Sequence, residues 1–514
     1  MNLGSWMPLL LATLSSLAIG SEDSRHISVN ASSVSGELKP DIQEIGALFP
    51  EYGIKHVLIY NFPTVFLGWG KSGRDADPMN NDNYNWTAAD EYVRYVQSNG
   101  AKASIQFQPE NGTNPNMTSP ADLGNIAFMI TDRYMNGAYG SGFTDAIELF
   151  EFYPETDLYE QMFSYFSNFS HGVAQASGAW GSNRFYPSHS NYSTYDPFIT
   201  RFYKDCRTHN VPIRAATFHF VNLWFSYNPY DIKSITDEFR KRVLIPAGLP
   251  DLEIWATHSG WSTSLIPKSP LALEHFRDPQ FFSAFNLGVL MYAQDTSIKH
   301  AILYPGLSYG GWGAGGFWYQ GFFNKSADGQ PIPRNIAMAW LNYMKLLTQT
   351  PHRLQLGGSS SDGFAALAGR SDDNNKVQVF LNNYQLDYSI PREIVTDFQL
   401  PYLNSSTLDT PPVQRNGLLN GDQACFSDGN SLFYFASCVT FAPVTWRNNT
   451  SDGYDLHISD FPWNSTTRFY VDVQRVGGKQ ATSLNFRREG QGNSFELHMP
   501  FPPNAQDLVT ITKA

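Results

Sequence analysis

Titratable, amide and aromatic side chains gather in this sequence where short apolar runs end. Tyr60 and Asn61 close the run that starts at Lys55, and Glu110 follows Ala103–Phe107 within Gln108-Pro109-Glu110-Asn111. Glu148, Glu151 and Glu155 cluster around Leu149-Phe150, and His219 and Asn222 follow Ile213–Phe218. Thr257-His258-Ser259 follows Leu252–Ala256, and Tyr304, Tyr309 and Trp312 follow His300–Leu303. Carboxylates and imidazoles suit general acid–base chemistry, because both can be tuned to trade protons near neutral pH. Aromatic faces beside them suit a sugar-binding cleft. Other chemistries lack their signatures. Neither His-x-x-x-His nor Cys-x-x-Cys occurs, so no metal site is expected, and no cofactor motif is present. There is no Gly-x-Ser-x-Gly elbow, and the Gly-rich stretch Gly310–Gly316 lacks the Gly-Lys-Ser/Thr ending of a phosphate loop. His258 and Ser259 are adjacent, so on a strand they point apart and cannot form a dyad.

Strands must carry these residues to one place. From about residue 40 to 345, apolar runs of strand length alternate with segments of helical period. The helical segments are Trp86–Asn99 (stopped by Gly100), Asn125–Tyr134, Tyr159–Ala176, Asp196–Thr208, Ile235–Leu244, Pro279–Gln294 and Ile336–Leu347. Repeated strand–helix alternation over this length predicts an α/β fold, a (β/α)₈ barrel or a doubly wound sheet, and barrels keep their active sites just after the strands. Beyond about residue 350 the helical period stops. Short β-rich segments such as Gly363–Ala368, Lys376–Leu381, Ser431–Phe435, Phe469–Val473, Ser494–Leu497 and Leu508–Ile511, separated by turn residues, predict an antiparallel β-sandwich. The expected division is a leader over 1–20, a polar segment over 21–39, the barrel over 40–349 and the sandwich over 350–514.

The address follows from the N-terminus. Met7–Ile19 is apolar apart from small polar residues, and Ala18-Ile19-Gly20 is a small-x-small cleavage site, so the sequence predicts a signal peptide and a secreted, extracellular protein. No later run approaches the roughly 18 apolar residues of a membrane span. Asn-x-Ser/Thr occurs at Asn30, Asn85, Asn111, Asn116, Asn168, Asn191, Asn324, Asn404, Asn448, Asn449 and Asn464, which predicts N-glycosylation at the surface. The chain has three cysteines, of which Cys425 and Cys438 are near enough to bridge adjacent strands, leaving Cys206 unpaired and buried. A net charge of −12 excludes nucleic acid and anionic membrane as natural partners.

Several segments, taken in order, resemble glycoside hydrolase family 39, the family of β-xylosidases and α-L-iduronidases. They are Tyr84-Asn85-Trp86-Thr87, Thr131-Asp132-Arg133-Tyr134, Ile147–Phe150, Glu253–Ser262, Gly363–Arg370 and Val377–Tyr384. The resemblance covers roughly residues 40–385. It implies a (β/α)₈ barrel followed by a β-sandwich, and a carbohydrate substrate. It also implies a glutamate ending the fourth strand in Asn-Glu-Pro as acid/base and another, after Thr, ending the seventh as nucleophile. This sequence departs at both places. Direct alignment sets Glu151 on the Asn and Phe152 on the acid/base, and a bulge or slip would return Glu151 or Glu155 to the catalytic position. His258 stands at the nucleophile's position. Phe218-His219-Phe220 is similar to the family stretch whose histidine lines the cleft.

Three functions follow as expectations. The first is a glycosidase with a non-standard mechanism, pairing Glu151 or Glu155 as acid with His258 or Glu110 as base, with Tyr60, Asn61, His219, Asn222, Tyr304 and Trp312 lining the cleft. The second is a catalytically inactive carbohydrate-binding or scaffold protein. The third is a polysaccharide lyase, with His258 or a tyrosine removing a proton beside a uronic carboxylate. On a regular strand Glu148 and Glu151, three apart, face opposite sides.

Overall fold

The structure is a computed structural model. It describes residues 15–26, 33–36, 45–59, 62–63, 65–68, 76–107, 119–152, 159–177, 181–185, 197–221, 229, 231–260, 279–303, 321–357, 364–385, 424–426, 437–439, 453–459, 461, 463–477 and 485–514. The chain divides into two compact units. One comprises Ser28–Met344 with Tyr388–Trp446, the other Met1–Ile27, Lys345–Asp387 and Arg447–Ala514.

In chain order the first strands are β1 (Ser15–His26), β2 (Ser33–Gly36), β3 (His56–Ile59), β4 (Lys102–Phe107) and β5 (Ile147–Phe152). They are followed by β6 (Gly181–Phe185), β7 (Ile213–Val221), β8 (Glu253–Gly260) and β9 (Ile298–Leu303). Strands β2 to β9 close into an eight-stranded barrel, parallel throughout, with β2 sealing against β9. Its helices are α1 (Thr87–Ser98), α2 (Pro120–Asn136), α3 (Tyr159–Ser177), α4 (Pro197–Thr208), α5 (Asp231–Phe239, extended by a π turn over Arg240–Leu244), α6 (Pro279–Ala293) and α7 (Asn335–Gln349). These match the segments of helical period to within a few residues. Local chemistry sets their ends. Ser119 caps α2 by accepting from the backbone N–H of Asp122 at 3.0 Å, with Pro120 at the first helical position, and Gly137 ends it at φ +75°. α2 and α3 pack closely because Gly124 and Gly172 meet there, where a Cβ on Gly172 would overlap the Gly124 carbonyl. Among the described residues no helix is long and apolar enough to cross a membrane.

Two barrel strands escaped the sequence reading. β2 lies inside the expected polar segment, and β6 lies where no strand was expected, so the barrel begins before residue 40. Both are short and lack an apolar run. Their pairing is supplied by partners far off in sequence, as when Ser33 lies opposite both His56 and Ile302.

The second unit holds β12 (His352–Gly357), β13 (Phe364–Arg370), β14 (Lys376–Asn383), β17 (Tyr454–Ile458), β18 (Arg468–Val476), β19 (Asn485–Gln491), β20 (Phe495–Met499) and β21 (Gln506–Lys513), together with β1. The intervening numbers belong to two small hairpins, β10 (Phe323–Lys325) with β11 (Pro331–Pro333) and β15 (Ala424–Phe426) with β16 (Ser437–Val439). The nine strands form one sheet in the order β19-β18-β21-β14-β13-β12-β1-β17-β20, antiparallel except where β1 meets β17. The sheet folds over itself. β18 and β20 stand near opposite ends of that order, yet Phe469 and Phe495 meet edge to face at 5.7 Å. The result is two layers around one core that includes Leu456, Trp463, Val471, Leu497 and Val509. The sandwich therefore does not start at residue 350. β1 joins its two halves, and the expected leader boundary at Gly20 falls within that strand. The segment expected as a strand over Ser431–Phe435 lies outside the described residues.

Candidate active site

The fourth barrel strand, β5, carries an extra residue. Ala103 of β4 lies opposite Ile147 and Ile105 opposite Phe150, so two steps on β4 match three on β5. Such a bulge re-aims the side chains around it. Glu148 and Glu151 both engage strands that are not their neighbours. Glu148 Oε1 accepts from Arg214 on β7 at 2.8 Å, and Glu151 Oε1 accepts from Thr257 on β8 at 2.7 Å. The opposite-faces expectation for a regular strand is thus corrected, and both carboxylates address the barrel interior at different heights. Leu149 also points inward, packing with Ala215 and Trp255.

Glu151 is fully buried. Its two oxygens are both engaged. Gln106, its direct partner in the β4–β5 register, donates Nε2–H to Oε2 at 2.9 Å, and Thr257 takes Oε1. No ion pair reaches it among the described residues. Two neutral donors therefore hold the carboxyl in one orientation, one on each oxygen, and each oxygen keeps a second acceptor site. Around it the interior is polar but incompletely satisfied. Gln106 Oε1, Thr217 Oγ1 and His300 Nδ1 are buried without a hydrogen-bond partner among the described residues, and such orphans are uncommon in folded interiors.

The seventh strand, β8, is bulged at the position where the family resemblance sets a nucleophile. Ala256 lies opposite Phe218 on β7, and the next pair is His258 with His219. On the other side Ala256 lies opposite Ala301 and Ser259 opposite Leu303. Both neighbours thus count one residue too many between Ala256 and Ser259. Thr257 is the inward residue there, as its bond to Glu151 shows. His258 and His219 are placed only as backbone partners, and their side chains lie outside the description.

The opposite end of the barrel is occupied by an ionic floor that the sequence reading did not assemble. Glu148 bridges Lys102 at 3.0 Å and Arg214 at 2.8 Å, and Glu253 bridges Lys299 at 2.6 Å while accepting from Trp255 Nε1 at 2.9 Å. Burial pushes both carboxyls up. The cations outweigh it, with Lys102 and Arg214 holding Glu148 below the usual range, and Lys299 (with the Trp255 N–H and Arg214) holding Glu253 below it. Above this lie His56 and His300, 5.5 Å apart, with His300 stacked on Trp255 at 3.8 Å and His56 Nε2 2.6 Å from Ser104 Oγ. Burial depresses His56 to about 3 and His300 to about 4, so both are neutral near neutral pH. The available sequence signal was a charge at or near the start of successive strands (Lys102, Glu148, Arg214, Glu253, Lys299), on the face where barrels keep stability rather than catalysis.

Of the residues expected in the site, Glu151 has its side chain described. Tyr60, Asn61, Glu110, Glu155, Asn222, Tyr304 and Trp312 lie outside the described residues. Glu253, at the floor, does not join Glu151. No group of three or more histidine, cysteine or acidic side chains among the described residues is placed to hold a metal ion. Cys425 and Cys438 are direct partners across the β15–β16 ladder. Cys206 is buried and free, as expected.

Solved structures similar to this chain include glycosidases. A glucosidase from Croceicoccus marinus superposes with a TM-score of 0.72 at 20% identity, covering 98% of this chain and 99% of its own. The chain shares the fold of that glucosidase. A GH39 enzyme from Xanthomonas axonopodis pv. citri superposes at 0.60 with 12% identity, covering 98% of each chain. An α-L-arabinofuranosidase from Thermotoga maritima, solved with arabinose, superposes at 0.54 with 11% identity, covering 97% of this chain and 100% of its own. No protein-family model matches the sequence, and no curated protein matches it.

Proposed function

We propose that this chain is a secreted glycosidase-like protein that acts on glycosidic bonds of an oligo- or polysaccharide. The observation that carries the reading is the placement of Glu151. A bulge turns it into the barrel from the fourth strand, next to Thr257 of the seventh, in a fold shared with glycosidases. In this reading Glu151 is the acid. It protonates the leaving oxygen while Thr257 and Gln106 orient it, and His258, two residues before the end of the seventh strand, is the base toward water. An inverting route needs two groups about 6.5–9.5 Å apart with room for water between them. The mechanism departs from double displacement because no carboxylate follows Thr257. Glu155 and Glu110 are the alternative carboxyls for the two roles.

One observation favours a second reading, a sugar-binding protein without turnover. Glu151 is fully buried, and a neutral donor already engages each of its oxygens. The deciding experiment is turnover of a panel of aryl glycosides and uronic-acid polymers by the wild type, Glu151→Gln and His258→Ala. The glycosidase reading expects hydrolysis that falls about 10²–10⁴-fold in each variant, the usual worth of a general acid or base. Oligosaccharide binding with no turnover of any substrate supports the second reading. An eliminated, unsaturated uronic product supports a lyase instead.

A further inference from the structure

We infer that the chain is N-glycosylated at Asn85 and Asn464 and not at Asn168. This rests on the export reading above and goes beyond it by separating sequons that the sequence leaves equivalent. Asn464 is exposed in the turn before β18, and its Oδ1 accepts from the Thr466 backbone N–H at 3.1 Å and from the hydroxyls of Thr466 and Thr467 at 2.8 Å each. The hydroxyl of its own sequon thus holds the amide oxygen and leaves Nδ2 as the unengaged end. Asn85 is likewise exposed, at the entry to α1. Its Oδ1 accepts from the Thr87 backbone N–H at 3.2 Å, and no described group accepts from its Nδ2. Among the described residues each unit therefore presents one open acceptor.

Asn168 has the opposite setting. It lies in the middle of α3, half-buried, where its Nδ2 donates to the Ser164 carbonyl at 2.9 Å. Residues two apart on a helix do not share a face, so the Ser170 hydroxyl cannot reach the Asn168 amide. Ser170 is fully buried and donates to the Pro212 carbonyl instead, and Phe169 between them is buried too. A Cβ on Gly124 would lie 2.8 Å from the Asn168 carbonyl oxygen, so the Asn168 backbone borders the close contact of α2 with α3. A glycan there must break the bond to Ser164 on a half-buried helix face, and the sequon hydroxyl is held at Pro212, so the site stays unmodified.

The donor is a lipid-linked oligosaccharide diphosphate. The bond from its anomeric carbon to the diphosphate oxygen breaks, a bond from that carbon to Nδ2 forms, Nδ2 releases a proton, and the lipid diphosphate departs.

The test expresses the full chain in a eukaryotic secretory host, with and without the leader of a known secreted protein fused ahead of Met1. Folded product is treated with a glycan-releasing amidase in ¹⁸O water and mapped by peptide mass. The expected result is ¹⁸O-labelled Asp at positions 85 and 464 and unlabelled Asn168. Asn85→Gln and Asn464→Gln each remove one glycan from the intact mass, and Asn168→Gln removes none. Label at 168, or its absence at 85 or 464 in the leader-fused product, overturns the assignment. Retention of the unfused chain inside the cell, with the fused chain modified as expected, overturns the export reading alone.

Discussion

The hydroxyl of Thr257 donates to Oε1 of Glu151 at 2.7 Å across the barrel interior, joining the fourth and seventh strands through residues 106 positions apart. The bond depends on the bulge in β5. Without the extra residue in β5 Glu151 would face outward, and the irregularity in β8 sits at Thr257 itself.

Removing that donor strands a buried acceptor. Thr257→Val, which keeps the side chain's shape, is expected to lower unfolding stability by about 1–3 kcal/mol, while Thr257→Ser keeps the bond and most of the stability. Urea unfolding of the three proteins measures this. A Val variant as stable as the wild type contradicts the role given to the bond.

The barrel floor makes the fold sensitive to acid. His56 and His300 have folded values near 3 and 4, below the 6.5 of an unfolded histidine, so between those limits the unfolded chain binds more protons. Stability is full above about pH 6.5 and falls as pH drops through the window. Glu148 and Glu253, held low in the fold, add a further loss as pH falls from the unfolded carboxylate value through their own. Urea midpoints measured from pH 7.5 to 4 are expected to decline, and His56→Leu is expected to flatten the upper part of that slope. An unchanged slope in the variant argues against the buried-histidine account.

In the sandwich, Arg475 clamps the fully buried Asp507 with two hydrogen bonds of 2.7 Å, and Tyr454 donates to the same carboxylate at 3.0 Å. Arg475→Met leaves that charge without its cation and is expected to cost about 3–5 kcal/mol. The double variant Arg475→Met/Asp507→Leu recovers much of it. Equal losses in both proteins contradict this.

Cys425 and Cys438 stand opposite one another on antiparallel strands, as a cross-strand disulfide requires. Non-reducing peptide mapping of exported protein is expected to recover them linked. One thiol, Cys206, reacts with a maleimide, and only after unfolding, because it is buried and burial pushes its thiol up. Labelling of three thiols in the unreduced, unfolded chain contradicts the pairing.

Helical period and strand length, read along the chain, determined much of this protein by themselves. Seven helices among the described residues, the strand–helix alternation and the change to β-rich segments near residue 350 follow from local patterning, which acts over a few residues and survives in any tertiary setting, whereas closure into a barrel and not a doubly wound sheet does not. The ends of β5 and β8 were legible as the places where chemistry would sit, through resemblance and through the polar residues that close apolar runs. Which way Glu151 points was not. Side-chain parity along a strand inverts with one extra residue, and whether that residue bulges is settled by the neighbouring strands, not by Ile147–Phe152. The same holds for β2 and β6, which have no apolar run to declare them, and for β1, whose pairing with β12 and β17 closes over hundreds of residues. The charges at the barrel floor belong to strands that meet only when the sheet closes. Tertiary structure alone decided their partners, because ion pairing depends on separation in space and these residues are distant in sequence.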